Sequence, residues 1–195
     1  MLTAWWCSPY RDRVEVAVAE RLASELLTPL GDRWLHVQAV AAAAREVSAA
    51  VDPEERDLLV AAAWLHDIGY APPIGHLRFH PVDGARFLEE QEAPKRLCAL
   101  VAHHSCARYE AEERGLTAEL SAWELEVSPV MDALCAADMT TGPQGQRFTF
   151  DERIAEILSR YGDGSIVHRS ITRARADLQG TVERTTARLA AVQPR

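Results

Sequence analysis

The run "DLLVAAAWLHDIGYAPP", residues 57 to 73, constrains the fold more than any other stretch of this chain. Its middle, Leu58 to Leu65, is apolar all the way round, so a helix made of it has no face for water and must be enclosed by other helices. His66 and Asp67 follow directly, and Gly69, Pro72 and Pro73 then stop the helix. Two ionisable groups at the end of an enclosed helix need partners, because a polar group buried without a hydrogen bond costs about 1–3 kcal/mol.

The rest of the chain supplies the enclosing helices. Residues 11 to 27 and 33 to 51 read as helices, the second with His36, Val40, Ala43 and Val47 on one face. Asp52, Pro53 and Glu55 form a helix-start pattern with a capping box before the 57–69 run. Further helices are expected in "VDGARFLEEQ", in "PKRLCALVAHHS", in "VMDALCAADM" after Ser128 and Pro129, and in "DERIAEILSRYG" after a Thr149–Glu152 capping box. Residues 165 to 192 read as one amphipathic helix, which covers the domain's own core or joins two copies as a homodimer. No segment shows convincing strand alternation. The expected fold is an all-α, single-domain helical bundle.

Twenty-one basic against twenty-nine acidic residues leave a net charge of −8, which disfavours extended nucleic acid and points to a small partner. Cys7, Cys98, Cys106 and Cys135 make no CxxC pair and read as buried, reduced thiols. The start "MLTAWWCSPYRDR" lacks the features of a signal peptide, and no apolar run reaches the ~18 residues that a membrane span needs. The expected location is the cytoplasm.

Counting back three, four and seven residues shows what shares a face with each polar site: Leu59, Ala62 and Ala63 with His66; Leu97, Leu100 and Val101 with His104; Met131, Leu134 and Cys135 with Asp138. Inward-facing imidazoles and carboxylates thus recur on at least three apolar helices, and a bound cation resolves the cost of burying them. Imidazole and carboxylate donors suit Fe, Mn, Co, Ni or Zn, with Mg also possible, and the absence of a Cys pair argues against a structural zinc site. Adjacent helical residues project about 100° apart, so His66 and Asp67 can both reach one metal cluster.

The order His36, His66–Asp67, His80, His103–His104, Asp138, with "LHDIG", "HPVDGARFL", "VAHHS" and "ALCAADM", resembles the HD-domain superfamily of metal-dependent phosphohydrolases over residues 33 to 140. The resemblance implies the HD-type helical fold across the chain, with the helices of 150–192 packing on the motif core. It implies His36, His66, Asp67 and Asp138 around one metal and His80 and His104 on a second, with Asp67 bridging. His103 could replace or join His104 or take part in catalysis. The implied function is hydrolysis of a small phosphorylated substrate, a nucleotide by analogy; the alternatives are a diiron oxygenase acting on a phosphonate or polyol and a metal-pinned regulatory module. Tyr70, Arg78, Arg108 and Arg147 are the candidate substrate contacts, since guanidinium groups can hold phosphate oxygens. Tyr70 stands where cyclic-di-nucleotide phosphodiesterases of the HD-GYP subgroup carry Lys, and "SCARYEAEERG" replaces GYP, so that activity is not expected.

Overall fold

The enclosed helix of the sequence is enclosed in the structure, a computed structural model that describes residues 14–192. Among them are ten α-helices: α1 (Val16–Leu27), α2 (Asp32–Val47), α3 (Arg56–Leu65), α4 (His80–Glu90), α5 (Lys95–His103), α6 (Arg108–Arg114), α7 (Thr117–Leu120), α8 (Pro129–Asp138), α9 (Phe150–Arg160) and α10 (Ile166–Val192). The one extended pairing among the described residues is an isolated antiparallel bridge between Thr141 and Arg147. The chain is a single all-α domain.

Helix α3 packs against α1, α2, α5 and α8, and every residue from Leu58 to Leu65 is buried. Trp64, buried, stacks on Trp34 of α2, ring centroids 5.7 Å apart. Helix α10 lies across α8, α6 and α9 through Ala174, Leu178, Thr181 and Thr185, so this amphipathic face covers the domain's own core.

Helix starts follow local chemistry at two of the three expected places. Ser128 accepts from Met131 N at the start of α8, and Thr149 and Glu152 form both halves of a capping box on α9. The pattern at Asp52 does not make its box. Pro53–Glu55 forms a 3-10 turn instead, Asp52 gives no side-chain cap, and α3 begins at Arg56. On α6, Glu112 and Glu113 pair with Arg169 and Arg173 of α10. Cys98 and Cys135 are buried free thiols and Cys106 is half-buried, while Cys7 and residues 11–13 of the first expected helix lie outside the described residues.

Two glycines set the position of α4. After Asp67 the chain makes a 3-10 turn, Ile68–Tyr70, whose backbone presses against the first turn of α4. A Cβ on Gly69 would stand 2.1 Å from His80 O and 2.7 Å from Gly84 N. Only a residue without a side chain allows this approach, which brings His80 beside Asp67.

Candidate metal centre

Five segments converge on one buried point. His36 comes from α2, His66 and Asp67 from the end of α3, His80 from the first residue of α4, His104 from just beyond α5, and Asp138 from the last residue of α8. All are buried except His80, which is half-buried.

Three imidazoles are fixed in the same way. Nδ1 of His36 lies 3.0 Å from Gly142 O, that of His66 2.7 Å from Ala63 O, and that of His104 2.6 Å from Val101 O. A carbonyl oxygen only accepts, so each Nδ1 carries the hydrogen and donates it. In the neutral ring, each Nε2 is then a bare lone pair facing inward.

Those lone pairs face other acceptors. His36 Nε2 is 3.1 Å from Asp138 Oδ1 and 3.7 Å from Asp67 Oδ2, and His66 Nε2 is 3.4 Å from Asp67 Oδ2. His80 Nε2 lies 3.2 Å from Asp67 Oδ1 and 3.2 Å from His104 Nε2. His66 Nε2 has no hydrogen-bond partner among the described residues. Acceptor facing acceptor in a dry interior is stable only with a cation or proton between, so the donor set fits a divalent metal. Two groups have ligand atoms close enough to hold an ion, His36 with His66 and Asp67, and Asp67 with His80 and His104. Asp67 belongs to both, each of its oxygens facing a different histidine pair.

Electrostatics without metal show the same demand for positive charge. Burial would raise the Asp67 carboxyl, but Arg33 and His66 hold it well below the usual carboxylate range, and the His36 hydrogen bond with nearby charges does the same for Asp138. Burial opposes charge on His66, yet the adjoining Asp67 carries it up to about 9. Burial keeps His80 and His104 neutral by pushing both below the ordinary imidazole value.

The residues around the ligands divide sharply. Tyr70 lines the cavity, stacked on His80 at 4.1 Å between centroids, with the Arg33 guanidinium 4.0 Å over its other side. His103 turns away: its Nε2 donates to Trp123 O at 2.8 Å, and its ring lines a second cavity with Arg108. That placement sets it apart from the ligand cluster. Arg108 pairs with Asp177, Arg147 pairs with Glu46 on the surface, and Arg78 is exposed, so none of the three arginines reaches the metal cavity.

Four other residues take the places expected of those arginines. Arg33, Arg153, Arg160 and Tyr161 line a cavity of about 110 Å³ over the ligands. Arg33 stands 2.5 Å from Asp67 Oδ2 and, three residues before His36, shares a helix face with a ligand. That spacing was the available signal for Arg33; the other three depend on α9 folding back over the site. Ser105, left-handed at φ 47°, donates from Oγ to Asp138 Oδ2 at 2.5 Å, a strained residue holding a ligand in place.

An all-α bundle with a buried histidine–carboxylate centre is a metal-site protein of the helical class. The family model for the HD domain matches residues 33–138, more than half of the chain, and the chain belongs to the HD domain family, a metal-dependent hydrolase superfamily. Among curated proteins and among solved structures, none matches the chain. No helix among the described residues is long and apolar enough to cross a membrane.

Proposed function

We propose that this protein is a metal-dependent phosphohydrolase that cleaves a phosphoester or phosphoanhydride of a small substrate, a nucleotide being the class suggested by family analogy. The observation that carries the reading is the arrangement of Nε2 lone pairs around both oxygens of Asp67, with arginines lining the same cavity. In this reading the centre is binuclear: His36, His66, Asp67 and Asp138 would hold one divalent ion, and Asp67, His80 and His104 the other.

Divalent ions bound there supply Lewis acidity, lowering the pKa of water and offsetting charge on phosphoryl oxygens. The chain's own residues provide position. Backbone carbonyls lock three imidazoles in the tautomer that presents Nε2, Arg33 orients the Asp67 carboxylate, and Ser105 orients that of Asp138. The burial of the ligands excludes bulk water, which strengthens every charge–charge contact in the cavity. In the reaction, a water oxygen bonds to phosphorus as the bond to the leaving oxygen breaks, and the water's proton ends on the leaving group. No covalent nucleophile from the protein is required.

The test is phosphate release from a panel of phosphomonoesters, nucleotides and phosphoanhydrides, with the metal content of the same preparation measured. Asp67→Asn should retain its helical circular dichroism and lose activity by at least about 100-fold, since both ligand groups use that carboxylate. Unchanged turnover in the folded variant would refute the reading. So would an iron-loaded protein that consumes dioxygen and releases no phosphate.

A further inference from the structure

The wall of the metal cavity opposite Asp67 comes from α9 and α10, both C-terminal to the residues that match the HD domain. Helix α9 brings Arg153, Ile157 and Arg160 to the cavity with Tyr161 directly after it, and α10 brings Val167 and Ile171. The spacing 153, 157, 160, 161 is one face of a helix, so the arginines and the apolar groups are presented together.

Arg153 is the unusual member. It is 6% exposed, and its Nη1 pairs with Glu156 one turn along the helix. Its Nε is buried with no hydrogen-bond partner among the described residues. A buried guanidinium N–H left unpaired is costly, and charge sharpens the cost. Arg160 leans on the same Glu156, with Nε 3.2 Å from Oε1, so two guanidiniums share one carboxylate and this helix face keeps a positive charge in excess. The third arginine, Arg33, is already engaged with Asp67.

Resting on the phosphohydrolase reading above, we propose that Arg153 and Arg160 form the anion subsite for the terminal phosphoryl group of a phosphate monoester, whose organic part packs against Ile157, Tyr161, Val167 and Ile171. A guanidinium fork suits phosphoryl oxygens turned away from the metal ligands. Charge favours a monoester: with Arg33 committed to Asp67, the two guanidiniums of α9 suit the two negative charges of a terminal phosphoryl group better than the single charge of a diester. The apolar half of the lining then selects a leaving group that is apolar or aromatic next to the ester oxygen.

The test uses the full-length, metal-loaded protein with orthophosphate, phenyl phosphate and diphenyl phosphate as calorimetric probes. Wild type should bind the first two and bind diphenyl phosphate at least tenfold more weakly. Arg153→Met should weaken orthophosphate binding by at least tenfold at unchanged metal content, and Arg153→Lys should recover part of it. Arg160→Met, a change at a more exposed position, should cost about threefold, and keeps the test decisive if Arg153→Met does not fold. If wild type hydrolyses phosphoesters while the folded variants bind orthophosphate as it does, the subsite is refuted and the phosphohydrolase stands. If metal-loaded wild type neither binds orthophosphate nor releases it from any ester, both fail together.

Discussion

His103 and His104 are consecutive in the chain, yet their imidazoles lie in different cavities. His104 Nε2 faces His80 and Asp67, whereas His103 Nε2 donates to the Trp123 carbonyl. Helix α5 ends between them, and the left-handed Ser105 and Cys106 that follow turn the chain sharply toward α6. The two therefore differ in what their loss removes. His104→Ala should lower metal affinity by at least about tenfold, while His103→Ala should retain wild-type metal content. Elemental analysis after dialysis against a weak chelator separates them; equal losses in both would contradict the assignment.

Gly69 holds the turn after the ligand pair against α4. A methyl group there meets backbone atoms, His80 O and Gly84 N, which cannot rotate away as a flexible side chain would. Gly69→Ala should therefore cost about 3 kcal/mol or more and pull His80 from Asp67. For a chain of this size that corresponds to a fall of roughly 6–12 °C in Tm. A variant melting within about 2 °C of wild type, with full metal content, would show that the contact yields more easily than its geometry implies.

How much of this was legible in the sequence depends on how local each signal is. The enclosure of α3 follows from an apolar run with no polar face, and the starts of α8 and α9 follow from Ser128 and Thr149 acting within one turn. His36, His66, His104 and Asp138 were legible because each shares a side with apolar residues of its own helical run, and Asp67 because it adjoins His66; His80 was legible only through the family resemblance. Asp52 misled because Pro53–Glu55 tightened into a 3-10 turn in which the Glu55 N–H donates to the Asp52 main-chain carbonyl instead of to its side chain. Nothing local in "DERIAEILSRYG" marks Arg153 and Arg160 as site residues. Only the path of α9 across the cavity makes them part of the site, and no short-range pattern encodes that path. Arg108 and Arg147 show the mirror case: near in sequence to ligands, they are turned to Asp177 and Glu46.

Asp132, in the first turn of α8, accepts from Arg184 and Arg188 of α10 and ties the last helix to the core. Burial works against its charge, but the two guanidiniums hold its carboxyl below the ordinary carboxylate value. A folded-state value below the unfolded one adds stability that is present above about pH 4 and is lost as pH falls through the folded value. The arginines are 51% and 33% exposed, so water screens the pairing, and Asp132→Asn should cost only about 1–2 kcal/mol near pH 7. Urea unfolding of wild type and variant should give a gap that is constant from pH 7 to about 5 and narrows below pH 4. A gap that widens on acidification would contradict the sign.

Arg33 and a bound cation compete for the same carboxylate charge. Arg33 Nη1 lies 2.5 Å from Asp67 Oδ2 and is the strongest positive influence from the chain on that buried group. Removing one partner of a buried pair leaves the other uncompensated, which costs about 3–5 kcal/mol in a fully buried site and less here, where the Arg33 side chain is 25% exposed. Arg33→Met should therefore destabilise the chelator-treated protein by about 2–4 kcal/mol. Metal supplies positive charge at the same oxygens, and a ligand that binds only the folded state stabilises it in proportion to its affinity. Adding back the divalent ion that the protein retains on purification should then raise the Tm of Arg33→Met more than that of wild type, closing most of the gap. Parallel increases in the two proteins would show instead that Arg33 acts by packing over Tyr70, where its guanidinium also lies, and not by neutralising Asp67.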